Sequence, residues 1–301
     1  MDKSNSRRGL PEISINIHFL YEWRREPLWN FEYFSNPFYT IWLVINGCRR
    51  IETRTGSFDI HPMDLLIIPP NTLFRTRHCQ AYKDEIHYLA MGVGIHCGDI
   101  PFEFVCRLPL QSSLSLDECQ SLSQLWSRLL HQWQGSQSRD GFPSNRQTAR
   151  TLSQADDELD NLLANLEFAA MERGMMASLI RYCEGASLEP FEAIDERVLK
   201  ANLIMRHSVG NKLSMSNLCE QLFISEGHLR ALFQANLKTS PMKHFLMLRL
   251  QRAKELLLTS GLTITEIAVQ TGFDDLHHFG KMFRKYEQTS PSRYREMGRG
   301  E

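Results

Sequence analysis

The apolar positions of this chain change period twice. From about residue 13 to 108 they come in short runs rich in β-branched and aromatic residues, such as "YTIWLVING", "CRRIET", "GSFDIHPMD", "LLIIPPN" and "IHYLAMGVG", punctuated by Gly, Asp and Pro. Runs of that length with turn signals between them predict an antiparallel barrel or sandwich. Beyond Leu114 the spacing turns helical: Leu122, Leu125, Leu129 and Trp133 fall three or four apart. A polar stretch over 135–147 reads as a loop. Leu152, Ala155, Leu159, Leu162, Leu166 and Ala169 then form a heptad-like stripe, suited either to a dimer seam or to packing on the strands.

The last third is organised by a repeat. "FQANLKTSP" (233–241) and "FRKYEQTSP" (283–291) each follow a pattern of short helix, turn and second helix. In the second copy, Thr263 and Glu266 form a capping box, Ile267 and Ala268 face inward, and Gly272 lies at the turn. Asp274 or Asp275 caps a helix with Phe279, Met282 and Phe283 on one face. The first copy matches with Leu218, Cys219, the cap Ser225, and Leu229, Leu232 and Phe233; the register changes by one residue in the turn. In both copies Ser-Pro opens a further helix. The first such helix carries Leu246, Leu250, Ala253 and Leu257 in one stripe and stops near Gly261, so it would hold the two units at a fixed separation.

Charge agrees with a division of the 301 residues. Positions 196–301 hold 16 Lys and Arg against 10 Asp and Glu, and the rest hold 18 against 25. A basic third on an acidic body fits a nucleic-acid module. The expected layout is an effector and dimerisation domain (1–184), a linker (185–192, which begins with "GASLEP") and a DNA-binding domain (193–301), an α+β chain overall. Seven scattered cysteines without a Cys-x-x-Cys pair argue for reduced thiols in the cytoplasm. No apolar run is long enough for a membrane helix, and "MDKSNSRRG" is not a signal peptide. The pairs His78-Cys79, His96-Cys97 and His277-His278 each point apart, so no metal is expected. No catalytic residue or cofactor is expected either.

The stretch "RLQRAKELLLTSGLTITEIAVQTGFDDLHHFGKMFRKYEQTSPSRYR", with the unit before it, resembles the DNA-binding domain of the AraC/XylS family of bacterial transcription regulators. "YTIWLVINGCRRIETRTGSFDIHPMDLLIIPPNTLFR" resembles the cupin-like barrel found upstream in that family, followed by dimerisation helices. The resemblance implies a regulator of promoter DNA, an activator by family habit and so a partner of RNA polymerase. It further implies a homodimer, nucleoid-associated in the bacterial cytoplasm and controlled by a small-molecule effector in the barrel, with a sugar as the leading guess. Three departures stand out. Phe223 occupies the turn position usually held by Gly, so we expect a turn there without positive φ. Leu73 and Phe74 lie where the barrel often has His. The cupin metal set of His-x-His, Glu and a later His is absent.

The residues left free by the apolar faces are the candidate DNA contacts. Of these, the positions that the resemblance implies at base edges are Gly227, Arg230 and Ala231 in the first unit and the corresponding Leu276, His277, Gly280 and Lys281 in the second, with His228 a further candidate and Arg230 suited to guanine O6 and N7. Ser225, Lys238, Arg284, Lys285 and Arg293 are the phosphate candidates. Trp42, Arg75, Arg77 and His87 are the effector candidates; Arg75 and Arg77 share a strand face that is either anion-binding or solvent-facing. A barrel that only oligomerises, and a cupin enzyme with a DNA-binding tail, are the competing readings.

Overall fold

The computed structural model describes residues 13–79, 85–97, 100–104, 106, 108–136, 155–183 and 195–299. The expected linker, Leu152 and most of the polar loop lie outside them. The strands are β1 (Ile13–Arg25), β2 (Phe31–Phe34), β3 (Tyr39–Asn46), β4 (Arg49–Thr53), β5 (Gly56–Ile60), β6 (Asp64–Ile68), β7 (Phe74–His78), β8 (Ile86–Cys97), β9 (Ile100–Pro101) and β10 (Gln111–Ser113). They form two sheets, one ordered β1-β8-β3-β6-β10 with β9 beside β8, the other β2-β7-β4-β5. Every pairing is antiparallel.

The continuous apolar runs of β3 and β6 have a physical reason: the larger sheet is covered on both faces. Trp42, Val44, Leu66, Ile68 and Tyr88 pack on one side with Ile51, Ile60 and Phe74 of the smaller sheet. Ile41, Leu43, Leu65, Ile67 and Met91 pack on the other with Leu122, Trp126 and Leu129 of α1 (Leu116–Ser136) and Met175, Met176 and Leu179 of α2 (Ala155–Cys183). Three other leucines of α2 do not share that burial. Leu162, Leu163 and Leu166 are exposed there, so this part of the stripe does not pack on the strands.

Among the described residues seven helices follow: α3 (Glu196–His207), α4 (Met215–Leu222), α5 (Glu226–Leu237), α6 (Pro241–Thr259), α7 (Ile264–Gln270), α8 (Leu276–Glu287) and α9 (Pro291–Arg299). They enclose two separate cores. Val198, Ala201, Met205, Leu218, Leu229, Phe233 and Phe245 make the first; Leu250, Ala253, Leu257, Ile267, Phe279, Phe283 and Tyr294 make the second. Helix α6 enters both, with Phe245 in one and Leu250 to Leu257 in the other. Its 19 residues span about 28 Å and tie the cores together.

Candidate nucleic-acid interface and cavity

The local chemistry that starts each second helix matches the sequence pattern. The Ser225 hydroxyl accepts from the His228 backbone N–H to cap α5, and both carboxylate oxygens of Asp275 accept from His277 and His278 N–H to cap α8. Those two bonds hold the Asp275 carboxyl below its usual range. Thr263 and Glu266 complete a capping box on α7. Ser290 caps α9 through Arg293 N–H, whereas the Ser240 side chain makes no cap bond on α6.

One expectation fails. Phe223 ends α4 at φ 53°, in the left-handed region, and is 94% exposed. Its N–H still bonds to the Cys219 and Glu220 carbonyls, so helix termination dictates the backbone and the side chain is pushed into solvent. Gly272 takes the equivalent place at φ 76°; a Cβ there would sit 2.6 Å from the Val209 carbonyl oxygen.

The base-edge candidates form two exposed faces. On α5, Gly227 has open space beside it, Arg230 reaches Glu226 at 3.4 Å, and His228 Nε2 lies 3.0 Å from Arg197 Nη1. Arg197 is itself fixed by Asp195, whose carboxyl it holds down at about 2. Sequence reasoning missed Arg197 because it belongs to α3 and meets the face only in space. On α8, Leu276, His277 and Lys281 are exposed on one surface beside Gly280, which also faces open space.

The phosphate candidates divide. Arg284 and Lys285 are exposed at the end of α8. Ser225 is committed to its cap. Lys238 sits at the far end of α5 from Arg230, in the left-handed C-cap, and donates to the Ala235 carbonyl at 2.9 Å. Arg293 pairs with Glu296 and lines a cavity on the opposite side of the second unit.

That cavity, about 940 Å³, opens between the sheets and the helices. Trp23, Arg25, Phe31, Trp42 and Tyr88 line it from the sheets and Trp29 from the loop between β1 and β2; Leu258, Arg293 and Met297 line it from α6 and α9. Of the four effector candidates only Trp42 is there. Arg75 is taken by Glu52 (2.5 Å) and Arg77 by Glu32 (3.1 Å), each an ion pair across neighbouring strands, and His87 Nε2 meets Glu22 Oε1 at 2.8 Å across another strand pair. Among the described residues, no three His, Cys, Asp or Glu side chains gather as a metal site.

Beside the cavity the helices are docked on the sheets through a buried polar cluster that the sequence reading did not anticipate. Lys254 of α6 and Glu287 of α8 form an ion pair of 3.1 Å with side chains 0% and 4% exposed. Ser35, just after β2, donates to Glu287 at 2.5 Å and accepts from Lys254 at 2.9 Å. The Tyr294 hydroxyl donates to the Ser35 carbonyl at 2.6 Å, and its ring stacks on Phe34 at 4.7 Å. Burial lowers the Lys254 ammonium from its usual value, with Glu287 opposing, and raises the Tyr294 hydroxyl well above its own. A second contact joins α3 to β8, where Arg206 Nη2 meets His96 Nε2 at 3.1 Å.

Comparison with known proteins agrees with the repeat. A family described as "Helix-turn-helix domain" matches residues 218–297. The raffinose operon transcriptional regulatory protein RafR of Pediococcus pentosaceus is 39% identical over 83 residues, 28% of this chain and 30% of that protein. The HTH-type transcriptional activator RhaR of Salmonella dublin is 26% identical over 198 residues, 63% of this chain and 70% of that protein. The chain spans about a third of the length of most curated relatives it matches. Among solved structures, unsaturated fatty acid-bound ToxT from Vibrio cholerae strain SCE256 aligns over 95% of this chain and 96% of its own, with TM-score 0.53 and 14% identity. ToxT from Vibrio cholerae O395 gives 0.52 over 95% and 97%. At that identity the likeness is one of fold.

Proposed function

We propose that this chain, an AraC/XylS-family protein by its C-terminal helix-turn-helix domain, is a sequence-specific transcription regulator that reads promoter DNA with both units and responds to a small molecule in the cavity. The observation that carries the DNA reading is the pair of capped helices, α5 and α8, rising from two separate cores on one connecting helix. Their exposed faces are free of the packing that holds the rest of each unit. Helices placed this way enter successive major-groove segments, about 34 Å apart, and one chain reads a non-palindromic site. Arg230 and Lys281 supply the base-edge donors, and Arg284 and Lys285 grip phosphates.

The sheet domain is the cupin-like effector unit in this reading, and the exposed leucines of α2 are the seam of a homodimer. The activator role named for RhaR carries over with it, so RNA polymerase is the further partner, met in the bacterial cytoplasm. The reading is tested by fluorescence anisotropy of the full chain on its own upstream DNA and on scrambled DNA, over a salt series. Tighter binding to the former, with log affinity falling linearly in log salt, is expected. Equal affinity for both overturns sequence-specific reading.

A further inference from the structure

Two helices that read one site must agree to better than a base pair, which adds about 3.4 Å along the duplex and turns it by roughly 34°. Helix α6 runs through both cores and so sets how far apart they lie. It does not by itself set how one unit is turned about that helix relative to the other. The polar bonds it makes at His244 to Asn202 and at Lys254 to Glu287 each stay within one unit.

A contact from unit to unit lies beside α6. The turn after α3, over 209–212, meets the end of α7 and the turn before α8, over 270–274. The fit is close. A Cβ on Gly210 would lie 2.9 Å from the Gln270 carbonyl oxygen, as one on Gly272 would crowd the Val209 carbonyl oxygen from the opposite side. Each turn uses a glycine to admit the other's backbone. Lys212 and Asp274 pair at 3.1 Å on the outer edge, both exposed, and add little to the hold.

Arg249 of α6 sits at the centre of this contact. Its Nη2 donates to the Asn211 carbonyl at 2.7 Å, and the same atom would lie 2.7 Å from a Cβ on Gly272. Its guanidinium stacks 4.5 Å from the Phe245 ring, which belongs to the core that holds Leu229 and Phe233 of α5. Burial lowers the guanidinium from its usual value, and Asp274, next to the α8 cap, opposes that. One side chain thus links the α5 core, the first unit's turn and the backbone from which α8 starts. Arginine suits the place because its edge can bond a carbonyl while its face lies on a ring; lysine has no such plane.

We infer that this turn-to-turn contact, with Arg249 as its positioning residue, fixes the spacing and rotational phase of α5 and α8 on DNA. This rests on the two-unit reading above and adds a determinant of specificity that no base contact supplies.

The test selects bound sequences from a random DNA pool with the full chain, Arg249→Met and Gly210→Ala, at one salt concentration. Affinity is then measured by anisotropy on the selected site with one base pair added or removed between its clusters. Arg249→Met keeps cover over Phe245 and loses the fork. Gly210→Ala pushes the turns apart without altering either core, and decides alone if Arg249→Met does not fold. The unaltered chain is expected to select one spacing and to lose about tenfold or more in affinity when the spacing changes. The variants should accept at least two spacings and lose no more than about threefold, with the preferred bases of each cluster unchanged. That split separates positioning from a structural role, which would erase the bases of one cluster instead and so overturn the inference. One spacing kept by the variants, or several accepted by the unaltered chain, also overturns it and leaves the two-unit reading standing. A single cluster from the unaltered chain removes that reading and the inference with it.

Discussion

The two helix-turn-helix units are built on one phrase and diverge at their buried inner ends. The residues aligned by the repeat show this directly. The buried Asn202 and the half-buried Leu237 of the first unit have as counterparts in the second Lys254 and Glu287, a buried ion pair closed by Ser35 from the sheets. His244 of the first unit, bonded to Asn202 at 2.8 Å, corresponds to Tyr294 of the second, bonded to the Ser35 carbonyl. The capped second helices stay alike while the inner ends change. The first unit is sealed within itself at these positions, and the second is sealed only when docked on the sheet domain.

The largest effect expected from this contrast comes from breaking the ion pair. Glu287→Leu alone strands the Lys254 ammonium and should cost about 3–5 kcal/mol in urea denaturation of the full chain. Combining it with Lys254→Met removes the stranded charge and should recover most of that loss. A double variant no more stable than the single would mean the two charges do not act as a unit.

Acid should expose the opposite asymmetry. Burial, with Arg206 nearby, holds His244 at about 4 against an ordinary 6.5. As pH falls the unfolded chain takes up the proton first, so this contribution is complete above pH 6.5 and is lost on the way down to pH 4. Its size is on the order of 3 kcal/mol. His18, buried in the sheet domain beside His96, is also held at about 4 and adds a loss of the same sign. His244→Tyr, the second unit's residue, should make the stability profile between pH 6.5 and 4 less steep by the part His244 supplies. An unchanged slope would show that His244 gains its proton without opening the core.

Smaller effects separate the two turns. Gly272→Ala forces a Cβ against the Val209 carbonyl and should destabilise by about 1–3 kcal/mol. Phe223→Gly removes a left-handed phenylalanine that buries almost nothing, and should stabilise by up to about 1 kcal/mol. A loss of stability at Phe223→Gly would mean that the exposed ring has a partner within the chain.

The reach of the sequence follows from how local each device is. Thr263 with Glu266, Ser225 and Asp275 act within one turn of helix, and all were legible as caps. The Phe223 turn misled because side-chain size argued against positive φ, while the backbone bonds to Cys219 and Glu220 decided the conformation. Lys254 and Glu287 left a signal that went unread: each is a charge placed on an apolar stripe, beside Leu250, Ala253 and Leu257 in α6 and after Phe279 and Phe283 in α8. Arg75 and Arg77 were correctly placed on one face, but their partners Glu52 and Glu32 lie on other strands, at distances only the sheet register reveals. The cavity was legible only in Trp42, because its walls come from five strands, the loops between them and two helices.

The claim that both units read bases is tested most directly by selecting bound sequences from a random DNA pool at fixed, near-physiological salt. The full chain, its Arg230→Ala variant and its Lys281→Ala variant are run side by side. The account predicts two clusters of preferred bases about ten base pairs apart for the full chain, with Arg230→Ala erasing one cluster and Lys281→Ala the other. A single cluster that both variants weaken equally would contradict it, leaving one unit to read sequence and the other only to hold the backbone.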